Sequence, residues 1–290
     1  MNELKGLGTA LVTPFKSDGA IDYLGLERLV EHNILGGVNY LVIQGTTGET
    51  AVLNKSERVD VFNFIVELNN ERVPLVLGIG GNNTHQVLSE YDWFNLDNVN
   101  AILSSSPAYN KPTQAGIIAH YKYLADNGEK PIILYNVPGR TASNLTSETT
   151  LELAKHTAII GIKEASGNLD QLGRIIKNKP SDFLVISGED GLSIPMMAMG
   201  IDGVTSVISN AFPKEFSKML QLCLDNDYAS ARSIHYKLID IIDLIFKENN
   251  PAGIKAMLEI KGICEKHTRL PLLPATKNLI SSLSKFKKCE

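Results

Sequence analysis

Eight short apolar runs rich in β-branched residues recur along the chain: Leu7–Val12, Tyr40–Ile43, Leu75–Ile79, Ala101–Leu103, Ile132–Tyr135, Ile159–Ile162, Phe183–Ile186 and Val204–Ile208. Runs of this length closed by Gly, Ser or Asn have the form of strands buried on both faces. Between them, apolar residues step by three and four, as in Val59, Phe62 and Val66 or Val87, Tyr91 and Phe94, which puts them on one face of a helix. Asn54-Lys55-Ser56-Glu57 has the form of a capping box opening the first of these helices. Alternating strands and helices imply parallel strands joined by right-handed crossovers, and the count of eight favours closure into a (β/α)8 TIM barrel over an open doubly wound sheet.

From about residue 212 the pattern is helical only. Ile234, Leu238, Ile241, Ile242 and Ile245 form a wide apolar stripe, Asn249-Asn250-Pro251 interrupts the chain, and a further helical run extends from Gly253 to about Glu265. The expected organisation of this α/β chain is a barrel domain over 1–225 and a C-terminal helical region over 226–290, with roughly three helices.

At 290 residues and 43% hydrophobic the chain can bury a large core. Its net charge of −4 argues against nucleic-acid or anionic-membrane partners, which require clustered basic surface. No apolar run approaches the roughly 20 residues that cross a bilayer, and the N-terminus lacks a signal-peptide core, so a cytoplasmic protein is expected. Cys223, Cys264 and Cys289 have no CxxC spacing and read as free thiols; the six histidines are dispersed, and no metal centre is expected.

The barrel places its chemistry at the C-terminal ends of its strands, and the residues there are unusually polar. The sixth run closes on Lys163. A strand buried on both faces has no ordinary use for an ammonium, and a desolvated lysine can serve as a nucleophile that forms a Schiff base with a carbonyl; the alternative is a strand-end lysine paired with a carboxylate such as Glu164. After the second run, Gln44-Gly45-Thr46-Thr47-Gly48-Glu49 offers two hydroxyls bracketed by glycines, suited to a small anion or to a tight turn. The fourth run leads to Tyr109-Asn110-Lys111-Pro112, and the fifth ends at Tyr135, with Arg140 five residues on. Arginine suits bidentate carboxylate binding, and a tyrosine beside a lysine can carry protons. Gly78-Ile79-Gly80-Gly81-Asn82 is not a dinucleotide fingerprint, since it lacks the GxGxxG spacing and a ribose-reading acid.

In this order, Gly45-Thr46-Thr47-Gly48-Glu49, Tyr109-Asn110-Lys111-Pro112, Tyr135-Asn136-Val137-Pro138-Gly139-Arg140 and Gly161-Ile162-Lys163-Glu164 resemble the motifs of the dihydrodipicolinate synthases. These are pyruvate-dependent class I aldolases of the superfamily that includes N-acetylneuraminate lyase. The similarity runs from Gly8-Thr9-Ala10-Leu11-Val12-Thr13-Pro14-Phe15 to the helical C-terminus, and the Thr-Thr pair and Arg140 resemble the synthases rather than the neuraminate lyases.

The resemblance implies that Lys163 forms a Schiff base with pyruvate and that the resulting enamine adds to L-aspartate 4-semialdehyde, in the diaminopimelate route to lysine, with no cofactor. Tyr135, Thr46 and Tyr109 would form a proton relay, the last reaching in from a neighbouring subunit of a homotetramer. Thr47 would bind the pyruvate carboxylate and Arg140 that of the semialdehyde, while Gly188 and Thr205 would line the pyruvate pocket. Many members are inhibited by L-lysine at positions matching Ala51, Lys55, Arg58, Asn82, Gln86 and Ala108. Here the family's usual histidines, glutamate and tyrosine are replaced by Lys55, Arg58, Gln86 and Ala108, so weak or absent feedback is expected. The rival readings are another pyruvate-dependent aldolase, such as N-acetylneuraminate lyase, and a non-catalytic keto-acid-binding barrel.

Overall fold

The computed structural model describes residues 2–287, which leaves Cys289 outside the described residues. Eight parallel strands, β1 (Gly6–Ala10), β2 (Tyr40–Ile43), β3 (Leu75–Gly78), β4 (Ala101–Ser105), β5 (Ile132–Asn136), β6 (Ile159–Glu164), β7 (Leu184–Ser187) and β8 (Gly203–Ser206), close in sequence order, with β8 paired to β1. The helices outside them are α1 (Tyr23–Leu35), α2 (Lys55–Asn69), α3 (Thr84–Ser89), α4 (Gln114–Asn127), α5 (Pro138–Thr141), α6 (Ser147–Leu153), α7 (Leu169–Asn178), α8 (Ser193–Ala198) and α9 (Pro213–Leu224). Three more follow, α10 (Tyr228–Phe246), α11 (Ala252–Ile260) and α12 (Lys277–Ser284). The closed (β/α)8 barrel expected from the eight runs is the one observed.

Local chemistry explains the boundaries. Asn54 caps α2 by accepting from the Glu57 N–H at 3.0 Å while the Glu57 carboxylate accepts from the Asn54 N–H at 3.0 Å, an arrangement worth about 1 kcal/mol. Two helices are shorter than their patterns imply. Val87, Tyr91 and Phe94 are all buried, but α3 ends at Ser89, where Glu90 turns its carboxylate inward, and a 3-10 turn carries the chain on. The run toward Glu265 ends at Ile260, because Gly262 takes a positive φ of +75°.

Two apolar layers hold the fold. Inside the barrel lie Val42, Val76, Leu103, Ile133, Leu184 and Ile186. Outside, the strands pack against the helices in a second cluster that includes Ile241 and Ile245 of α10, Ile254 and Met257 of α11 and Leu279 of α12. The last three helices therefore share the barrel's own core. Leu238, Ile241, Ile242 and Ile245 of the apolar stripe are buried, each contributing about 2 kcal/mol against exposure. Cys223 and Cys264 are buried free thiols.

Candidate active site

One extra residue in β6 aims the central lysine. The register runs Ile132↔Ile159 and then Ile133↔Gly161, so Ile160 is bulged out and Lys163 stands opposite Tyr135. Without the bulge it would face Asn136. Bulges of this kind re-aim side chains beside functional sites. The Lys163 amine lies 4.5 Å from the Tyr135 ring centroid, and the two side chains are 6% and 8% exposed. Gly188 makes room for it: a Cβ there would fall 2.9 Å from Lys163 Cε.

Glu164 is not the partner of Lys163. Successive strand residues point to opposite faces, and the Glu164 carboxylate is held outside the barrel by Asn136 Nδ2 at 3.0 Å, Gln171 Nε2 at 3.0 Å and the Ser166 N–H at 2.7 Å. Among the described residues Lys163 makes no ion pair, and its amine lies against the Tyr135 ring.

The Gly45–Glu49 segment forms a 3-10 turn over Thr46–Gly48, closed by Glu49 in the left-handed region at φ +53°. Thr46 is exposed at the mouth, whereas Thr47 is buried and its Oγ1 accepts from Asn250 Nδ2 at 2.9 Å. Glu49 is buried, and its carboxylate accepts from the Lys255 amine of α11 and from the Arg269 N–H at 3.1 Å.

A cleft of about 670 Å³ opens over this end of the barrel, lined by Thr46, Tyr135, Arg140 and Asn250. It extends without interruption to Ala51, Lys55, Arg58 and Gln86. Arg58 is buried and already neutralised: its guanidinium donates to Glu90 at 2.7 Å and to Gln44 at 3.0 Å. Lys55 stands 4.9 Å over the Trp93 ring. The added positive charge at these positions is thus carried by Lys55 alone, because Glu90, one helical turn beyond Gln86, supplies a carboxylate that the sequence comparison of matching positions overlooked.

Tyr109 is not brought into this cleft. It is 90% exposed at φ +70°, on a loop tied to its neighbour by Asn82 Nδ2 donating to the Ala108 carbonyl at 3.3 Å and Asn110 Nδ2 to the Asn82 carbonyl at 3.0 Å. Thr205 faces the barrel interior, where its hydroxyl shares a 2.8 Å hydrogen bond with the Tyr40 phenol. Tyr40 can lie across the barrel because β1 offers no side chain there: a Cβ on Gly8 would fall 2.1 Å from its ring. This contact joins residues far apart in sequence, and no local pattern announces it.

Two acids at the end of β7 were also missed. Asp190 is buried and accepts from the N–H groups of Val207 at 3.0 Å and Ile208 at 2.9 Å, which draws these two apolar residues out of β8. Burial first, then repulsion from Asp190, pushes the Glu189 carboxyl up to about 7, with Lys163 pulling the other way. A Gly-Glu-Asp run closing an apolar strand was the available signal.

A family model described as the dihydrodipicolinate synthetase family matches residues 3–288. The chain is 49% identical over 272 residues to a 4-hydroxy-tetrahydrodipicolinate synthase of Parabacteroides distasonis, covering 93% of this chain and 92% of that one. It is 49% identical over 289 residues to the same-named protein of Flavobacterium psychrophilum, covering 99% of each. Among solved structures, a chloride-inhibited dihydrodipicolinate synthase from Acinetobacter baumannii complexed with pyruvate superposes with a TM-score of 0.94 at 35% identity, over 97% of each chain.

Proposed function

Because the chain belongs to the dihydrodipicolinate synthetase family, we propose that Lys163 carries the reaction for which its relatives are named, the condensation of pyruvate with L-aspartate 4-semialdehyde. The chain is a lyase of the class I aldolase type. The observation that best supports the assignment to Lys163 is its placement: a buried amine without an ion-pair partner, set by a bulge against Tyr135.

In this reading the Lys163 amine adds to the pyruvate ketone and water leaves, giving an iminium. The iminium is the electron sink, so no cofactor is required. The methyl carbon loses a proton to become an enamine, and this carbon bonds to the aldehyde carbon of the semialdehyde, whose oxygen takes up a proton. The amine of the second substrate then adds to the iminium carbon and displaces Lys163, closing the ring of 4-hydroxy-tetrahydrodipicolinate. Tyr135 moves the protons, passing them to Thr46 and on to Tyr109 of a second copy. The exposure of Tyr109 in a single chain supports a role across a subunit interface, within a homotetramer. Thr47 binds the pyruvate carboxylate, Arg140 that of the semialdehyde, and Gly188 and Thr205 bound the pyruvate pocket, Thr205 through the hydroxyl it shares with Tyr40.

Borohydride reduction in the presence of pyruvate tests the assignment. A pyruvate-derived mass increase is expected on the peptide containing Lys163, and turnover with L-aspartate 4-semialdehyde but not N-acetylneuraminate. An adduct elsewhere, or none on folded protein in excess pyruvate, would overturn it.

Feedback by L-lysine is expected to be weak or absent. Ala51, Asn82, Gln86 and Ala108 offer a cationic ligand no carboxylate, Glu90 is committed to Arg58, and Lys55 repels it. Inhibition of turnover at micromolar L-lysine would contradict this.

A further inference from the structure

Every residue of α11 from Ala252 to Leu258 is buried, and one of them is a lysine. The Lys255 side chain is 0% exposed; its amine donates to Glu49 and to the His267 carbonyl at 2.9 Å, and lies 4.1 Å over the Phe15 ring. Its partner closes the turn that carries both hydroxyls, in a left-handed conformation that a residue with a side chain seldom adopts. The turn's own bonds are few: the Gly48 N–H donates to the Gly45 carbonyl at 3.0 Å and the Glu49 N–H to the Thr46 carbonyl at 3.1 Å.

We propose that Lys255 and Glu49 are a positioning pair, through which α11 fixes the Gly45–Glu49 turn so that Thr46 and Thr47 meet the bound keto acid. The inference rests on the pyruvate-aldolase reading above. Stability alone does not account for the pair. Desolvating two charges largely offsets their attraction, and apolar side chains of similar volume would hold a core as well. Geometry does account for it. One setting of the Glu49 carboxylate meets the Lys255 amine and the Arg269 N–H together, while Asn250, at the entrance to α11, holds Thr47 from the other side. One C-terminal segment therefore holds the turn at its middle, Thr47, and at its last residue, Glu49, while Thr13 Oγ1 donates to the Gly48 carbonyl between them at 2.7 Å.

The test is the apolar double variant Lys255→Met/Glu49→Leu, compared with wild type by melting temperature, pyruvate KM, kcat and borohydride trapping. A melting temperature within a few degrees of wild type is expected, with pyruvate KM raised about tenfold and kcat lowered about tenfold. A purely structural pair would move melting temperature and leave the constants of the folded fraction within about twofold, and that result would overturn the inference. Should the double variant not fold, Glu49→Gln, which keeps the volume and an acceptor for Arg269, carries the comparison with an expected rise of about fivefold in KM. Wild-type protein that traps no pyruvate would instead sink the functional reading itself.

Discussion

The two buried lysines among the described residues differ less in burial than in company. Lys163 is 6% exposed and Lys255 0%, and each lies over an aromatic ring, at 4.5 Å and 4.1 Å. Lys255, however, has a carboxylate and a carbonyl within bonding distance, whereas among the described residues Lys163 has neither. A satisfied buried amine serves architecture; an unsatisfied one at a strand end is available for chemistry. Burial alone would have confused them.

The sharpest way to separate the two is to remove each. Lys163→Ala is expected to lower kcat/KM by about 10⁴-fold or more, roughly 5 kcal/mol or more, while leaving the melting temperature close to wild type, since no partner loses its charge. Lys255→Met should do the reverse in stability, costing about 3–5 kcal/mol in urea denaturation because Glu49 is left buried and unpaired. If Lys163→Ala unfolds the protein, or Lys255→Met leaves its stability intact, the contrast fails.

Smaller effects probe the surroundings of Lys163. Arg140→Ala is expected to raise the semialdehyde KM by about 100-fold, roughly 3 kcal/mol, with little change in borohydride trapping of pyruvate. Equal loss of both would show that Arg140 serves the lysine and not the second substrate. The smallest effect concerns Glu189, the acid near Lys163 that stays unpaired where Glu49 is paired. Its carboxyl is pushed up to about 7 from 4.5. A raised carboxyl favours the protonated fold, so its contribution is full below about 4.5 and lost as pH rises through about 7. Glu189→Gln should flatten the stability profile across that window, and an unchanged slope would show that the carboxyl carries no such penalty.

Much of this was legible in the sequence because strands announce themselves locally. The eight apolar runs foretold the closed barrel, and the polar residues ending them marked Lys163, Tyr135, Thr46 and Arg140, of which the last three line one cleft. What stayed hidden depends on contacts between distant segments. A lone lysine inside Ala252–Ile260 reads as the polar position of an amphipathic helix until the helix proves to be buried over most of its length. Tyr40 reads as one more strand residue until Gly8 and Thr205 are seen around it. The Ile160 bulge, which decides what Lys163 faces, leaves no mark in an apolar run that stays apolar across it.

The link between Glu49 and Lys255 also has a temporal side. The two are separated by 206 residues. At a translation rate of about 5–20 residues per second, a nascent chain waits roughly 10–40 s between making the acid and making its base. Strands β1 and β2 can emerge early, but Glu49, at the end of the turn between β2 and α2, lacks its Lys255 partner until α11 leaves the ribosome. Maturation of the site is thereby tied to the near-completion of synthesis, and a chain released before α11 would carry the Lys163 strand but not the finished site.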